Sequence, residues 1–189
     1  MGLGDVLFGR KRLKQPAEER LFALSTAQVT LDVELGLRFA GRGAVCVKPL
    51  SAGAFSETSK DLDELLAVAL RDSSGKTERS ADTYGFEWLV ISTPALEDAV
   101  ATAHLVASEL QSRGFGEQLL AAVFRFEGPS NPVFWVYGYK QGAFWPFIPV
   151  GGSHERDNAT ELELKAKLEP ELPIEPDLSR WFGLFGAPL

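Results

Sequence analysis

At 189 residues the chain suits one domain with its own core, and 45% apolar with 24% charged residues is an ordinary globular balance. A net charge of −7 argues against general nucleic-acid binding, which needs clustered Lys and Arg to displace counterions. One cysteine, Cys46, excludes an intramolecular disulfide, cannot by itself build a thiolate metal site and favours a reducing compartment; no secretory signal or bilayer-length apolar run is visible.

In chain order, Leu3, Val6, Leu7 and Phe8 precede the basic group Arg10, Lys11, Arg12 and Lys14. A short amphipathic helix there would lie on an anionic lipid surface, or dock on protein. Val29, Leu31, Val33, Leu35, Leu37 and Phe39 alternate with polar residues, which predicts a strand, although Leu21–Glu34 also reads as helix. Ala40-Gly41-Arg42-Gly43 reads as a turn, and Ala44–Lys48 as a short buried strand ending at Pro49.

Ser56–Arg71 carries the apolar stripe Leu62, Leu65, Leu66, Ala69 and Leu70, with acids early where the helix dipole favours them. Thr77–Ser80 and Phe86–Ile91 read as a strand pair turning at Asp82-Thr83-Tyr84-Gly85. A helix starts after Pro94, with Leu96, Val100, Ala103, Ala107 and Leu110 inward and Gly114 closing it. Strands follow at Leu119–Phe126, Val133–Tyr139 and Phe144–Ile148, the last an edge or strand end because Pro146 cannot donate to a ladder. A polar helix from about Arg156 to Leu168 precedes a tail, Pro170–Leu189, whose Trp181, Phe182, Leu184 and Phe185 need an apolar surface. The resulting organisation is an N-terminal segment over 1–15, one domain over 16–170, and a docked tail over 171–189.

No catalytic constellation emerges. Ser74-Gly75-Lys76-Thr77 resembles the end of a phosphate-binding loop, but Leu70 stands where the pattern needs Gly and a helix precedes it. His104, His154 and Cys46 are too few for a zinc site without carboxylates. His104, between Val100 and Ala107, reads as a semi-buried helix residue. No metal or cofactor is implied.

The stretch Gly114–Pro149 holds ten of the 20 Phe, Trp and Tyr residues. In its middle strand Trp135, Tyr137 and Tyr139 share one face, and Phe134 and Val136 the other. A strand apolar on both faces is a central one, covered on both sides. The alternative is an aromatic platform around Trp135, Tyr137, Tyr139, Lys140, Phe144 and Trp145 that grips a partner, or a ligand pocket among Trp135, Tyr137 and Tyr139 near Lys140 or His104.

The blocks DTYGFEWLV, LEDAVATAHLVASEL, GFGEQLL, VYGYKQGAFWPFIP, RDNATELEL and LPIEPDLSRWFGLFGAP, with GLGDVLFG and AVCVKPL upstream, resemble the PspA-associated protein type B family. The resemblance implies a cytoplasmic accessory factor of a phage-shock, envelope-stress response, beside the inner face of the membrane and working with a PspA-like membrane-remodelling protein. It brings no catalytic residues. The matching positions it marks are Tyr84, Trp88, Glu117, Tyr137, Tyr139, Lys140, Arg156 and Asn158.

The expected architecture is α+β: a largely antiparallel sheet of five to seven strands, two main helices on one face, and a C-terminal acidic helix and apolar tail around the outside. The expected function is a non-enzymatic interaction protein with a protein partner. Alternatives are a small-molecule-binding domain or unrecognised enzyme, and a membrane-surface protein anchored through Gly2–Lys14; self-association is compatible with each.

Overall fold

The computed structural model describes residues 19–49, 61–67, 75–151 and 154–189. Six strands, β1 (Arg38–Val47), β2 (Lys76–Ala81), β3 (Glu87–Ser92), β4 (Leu119–Glu127), β5 (Val133–Gly138) and β6 (Ala143–Phe147), form one antiparallel sheet. Their order is β2-β3-β1-β4-β5-β6. The Pro146 argument is met by this order, since β6 is an edge of the sheet; it gains only a parallel bridge from Phe144 to Ile174 of the tail. A separate two-stranded ribbon pairs β7 (Pro149–Val150) with β8 (Glu155–Arg156).

The helices are α1 (Ala23–Thr26), α2 (61–67), α3 (Leu96–Ser112) and α4 (Asn158–Leu168). α3 lies on the first face of the sheet and buries Leu96, Val100, Ala103, Ala107 and Leu110. It ends at Gly114, whose φ of 82° is the left-handed conformation that closes a helix. The amide of Phe115 then donates back to the carbonyl of Leu110 at 2.7 Å. Leu62 and Leu66 of α2, and Leu164 and Leu168 of α4, join the same cluster. The remainder of the Ser56–Arg71 helix and the N-terminal segment Gly2–Lys14 lie outside the described residues.

One local ambiguity is resolved and one reading needs correction. Of the two readings of Val29–Phe39 the helical one holds as far as Leu35, where a 3-10 turn (Glu19–Phe22), α1 and a π turn (Thr30–Glu34) run in succession, and the strand begins only at Arg38. Leu21, Leu24, Ala27 and Leu31 are fully buried, while Val29 and Val33 point to solvent at 71% and 76% exposure. The alternation is thus the overlap of an inner Leu stripe and an outer Val pair one turn apart. Ala40-Gly41-Arg42-Gly43 is not a turn but a bulge inside β1. Phe39 pairs with Phe126 and Arg42 with Arg125, so Ala40 and Gly41 are extra on this strand. Gly41 takes φ 74°, and its carbonyl accepts from Thr93 N–H at 3.0 Å.

The sheet is covered on both faces, but by different material. Trp135, Tyr137, Phe124 and Phe144 belong to the cluster under the helices. Cys46, Trp88, Ala121, Phe134, Trp145 and Phe147 belong to a second cluster closed by Trp181, Leu184 and Phe185 of the tail. The tail is therefore the third layer.

Candidate functional site

The aromatic residues singled out by sequence lie in the core. Trp135, Tyr137 and Phe144 have no exposed surface, Trp145 has 2% and Tyr139 7%. Lys140, in the turn after β5, is the exposed member of that set. Among the matching family positions, Tyr84 is exposed in the β2–β3 turn, Trp88 is buried on β3, and Glu117 is exposed on a 3-10 turn. Arg156 is half-buried on β8, and Asn158 is exposed at the start of α4. His104 is half-buried against Phe22, with ring centroids 4.9 Å apart, and its Nε2 lies 3.4 Å from Ser108 Oγ.

What the structure does bring together lies on the second face, beneath the tail. Cys46, Ala121 and Gly138 are paired across three neighbouring strands, with Trp88 beside Cys46 on the outer side. Three small residues abreast leave a trough that Trp88 and Trp145 wall. A side chain at Gly138 would close it: a Cβ there would lie 2.8 Å from the Trp145 ring and 2.3 Å from Gln141 Oε1. Phe182, Leu184 and Phe185 of the tail roof the trough, leaving a cavity of about 360 Å³. A second cavity of about 480 Å³ lies on the other side of the roof, between Phe134, Phe147, His154 and the tail. Tyr84, Leu184 and Phe185 border both. None of Trp135, Tyr137, Tyr139 and His104 borders either one.

Five polar side chains line the first cavity, Cys46, Asp82, Tyr84, Lys140 and Gln141, and their commitments differ. Asp82 is spent on its own turn: Oδ1 accepts from the amides of Tyr84 and Phe86, and Oδ2 from Trp88 Nε1, each at 2.9 Å. Burial pushes its carboxyl up, but the hydrogen bonds from Trp88, Phe86, Tyr84 and Gly85 outweigh this and hold it below the usual aspartate range. The Cys46 thiol is pushed up to about 12 by burial and by the nearby Asp82 charge, so it is protonated near neutral pH and not a ready nucleophile. Lys140 is the cation in this lining, and it has no hydrogen bond or ion pair among the described residues.

The tail that makes the roof is pinned at both ends. Trp181 is buried, its Nε1 donating to Glu175 O at 2.9 Å, and Trp145 Nε1 donates to Phe182 O at 3.1 Å. At the far end Arg42 donates to Pro188 O at 3.1 Å. Between these anchors the chain turns at Gly183, where a Cβ would come within 2.6 Å of the Phe185 ring, and at Gly186, with φ 90°. Sequence reasoning found the tail's need to dock, but not the cavity. The row of small residues is scattered over positions 46, 121 and 138 and becomes a row only once the register is known.

A family model described as PspA associated protein B matches residues 1–189. The chain belongs to that family. The match spans every element described above, including the tail that closes the cavity. No curated protein and no solved structure matches the chain. Among the described residues no helix is long and apolar enough to cross a membrane, and no group of three or more His, Cys, Asp and Glu is placed to hold a metal ion.

Proposed function

We propose that this protein is a non-enzymatic accessory factor of an envelope-stress response that binds a PspA-type protein partner, beside the inner face of the membrane. Membership of a family named for association with PspA supports the choice of partner. The observation that carries the binding reading is a pair of exposed rings at one mouth: Tyr84 at 65% and Phe182 at 58% exposure, both bordering the same cavity. Large aromatics left in water beside a concave apolar surface are the usual anchors of a protein interface. The polar groups in that cavity fit holding rather than reacting, since the thiol is protonated and Asp82 already has its hydrogen bonds.

The test is titration calorimetry of the full chain with the PspA homologue from the same cell. The wild type should bind, and the Tyr84→Ser/Phe182→Ser double variant should bind at least about 30-fold more weakly, the loss expected of removing an interface hot spot. Its far-UV spectrum should be unchanged, because both side chains are exposed. Absence of wild-type binding, with and without lipid vesicles, would overturn the reading.

A further inference from the structure

We propose that the cavity under the tail is a binding site for a free single-chain amphiphile with an anionic head, its apolar chain in the trough and its head on Lys140. The inference does not depend on the protein partner, because it rests on the interior of the cavity and the charge at its mouth.

The volume of about 360 Å³ falls in the range of small-ligand sites, ~300–1,000 Å³. Its lining is dominated by Phe86, Trp88, Leu120, Trp145, Leu184 and Phe185, with thiol and methyl groups of Cys46 and Ala121 as floor. Such a surface rewards apolar contact and offers little to a polyhydroxylated ligand or to one carrying charge along its chain. Charge then selects the head. Two ionisable groups of opposite sign border the cavity, and they are not equivalent. Asp82 has both carboxylate oxygens occupied by three N–H donors, so it has little left for a cationic head. Lys140 carries three donors and no partner among the described residues, on an exposed turn at the edge of the same cavity. A carboxylate or phosphate head at the mouth would meet the unpaired ammonium while its chain stays out of water. The floor is a single row of small residues with an indole on either side, and a cavity of about 360 Å³ suits one alkyl chain better than the paired chains of a bilayer lipid.

The test is calorimetry and tryptophan fluorescence on the full chain, with monomeric octanoate, decanoate, dodecanoate and dodecyl phosphate below their micelle concentrations. Dodecanol, dodecylammonium, inorganic phosphate and vesicles of phosphatidylglycerol are the comparison arms. Anionic amphiphiles should bind and change the emission of Trp88 and Trp145, with affinity rising about threefold to fourfold per added methylene until the trough is full. Inorganic phosphate should not bind, and dodecylammonium should bind at least about tenfold more weakly than dodecanoate, the direction set by one like-charge contact. Lys140→Glu, at an exposed position, should reverse that preference and leave dodecanol binding unchanged. Ala121→Leu should fill the floor and abolish binding of every chain. Failure of all the amphiphiles to bind, binding indifferent to head charge or to Lys140→Glu, or binding to vesicles with none to the monomers would each overturn the proposal.

Discussion

Asp82 holds together the turn from which the cavity mouth is built. Its three acceptor contacts satisfy the amides of Tyr84 and Phe86 and the indole N–H of Trp88, so one carboxylate fixes the exposed ring, the strand start and the wall. Asp82→Asn keeps the shape but offers one oxygen and one NH₂. The NH₂ must then face a donor, either the Trp88 indole or the backbone amides. The expected loss is about 1–2 kcal/mol in urea unfolding at pH 7, the cost of one broken hydrogen bond with a donor left unpaired. The pH dependence has a definite sign. Because the folded carboxyl sits below its ordinary value, its stabilisation is fully present above the unfolded aspartate value of about 3.9 and disappears as pH falls through the depressed folded value. The gap between wild type and Asp82→Asn should therefore hold from neutral pH down to about 4 and close below it. A gap that stays constant on acidification would show that the charge is not what holds the turn.

Arg156 does for whole elements what Asp82 does for a turn. Its Nε lies 2.9 Å from both Glu161 carboxylate oxygens, its remaining nitrogens reach the carbonyls of Trp181 and Pro146, and its guanidinium lies 5.2 Å from the Phe147 ring centroid. One side chain on β8 thus ties α4, β6 and the tail. Glu161 is nearly enclosed, and Arg156 is 19% exposed. Burial pushes the Glu161 carboxyl up against the pull of Arg156 and of the Ile148 amide that donates to it at 2.8 Å. Glu161→Gln would leave the guanidinium facing a neutral amide in a poorly hydrated place, at a cost of about 3 kcal/mol in chemical denaturation. Arg156→Lys should recover less than half of the stability lost in Arg156→Ala, since an ammonium cannot reach carboxylate and carbonyls in the fork geometry. Equal stability of the Lys variant and wild type would mean the charge suffices without the fork.

The same scale shows what was legible in the sequence. β5 was readable because Trp135 and Tyr137 alternate with Phe134 and Val136, and both sets are buried. The N-terminal helix was ambiguous because Leu31 belongs both to the period-two run from Val29 to Phe39 and to the helical stripe Leu21, Leu24, Ala27, Leu31; tertiary burial decided between them. The bulge at Ala40-Gly41 imitates a turn because both need a glycine with positive φ. The candidate site was illegible for another reason: Cys46, Ala121 and Gly138 are unremarkable singly, and only strand pairing places them abreast.

At the scale of the molecule, among the described residues the sheet has a helical layer on one face and the tail on the other, so the tail's contribution should be graded along its length. Residues 182–189 contribute the half-buried Leu184 and Phe185, whose ring meets Phe147 edge-on at 5.0 Å, and two hydrogen bonds from Trp145 and Arg42. Their removal should cost about 2–4 kcal/mol, from partial burial of two large side chains and two bonds. Trp181 is different in kind. It belongs to the second-face cluster, donates to Glu175 O and supplies the carbonyl that Arg156 holds at 2.8 Å. Removing it as well adds the ~3–5 kcal/mol typical of deleting a core aromatic, and the total then rivals the ~5–15 kcal/mol that holds a domain folded. A chain ending at Trp181 should therefore keep its far-UV spectrum, melt earlier, bind a hydrophobic dye and self-associate as Trp88, Trp145 and Phe147 become accessible. A chain ending at Arg180 should fail to give a cooperative transition. Identical melting of the two truncations would place the boundary of the third layer elsewhere and make Trp181 a passenger on the sheet.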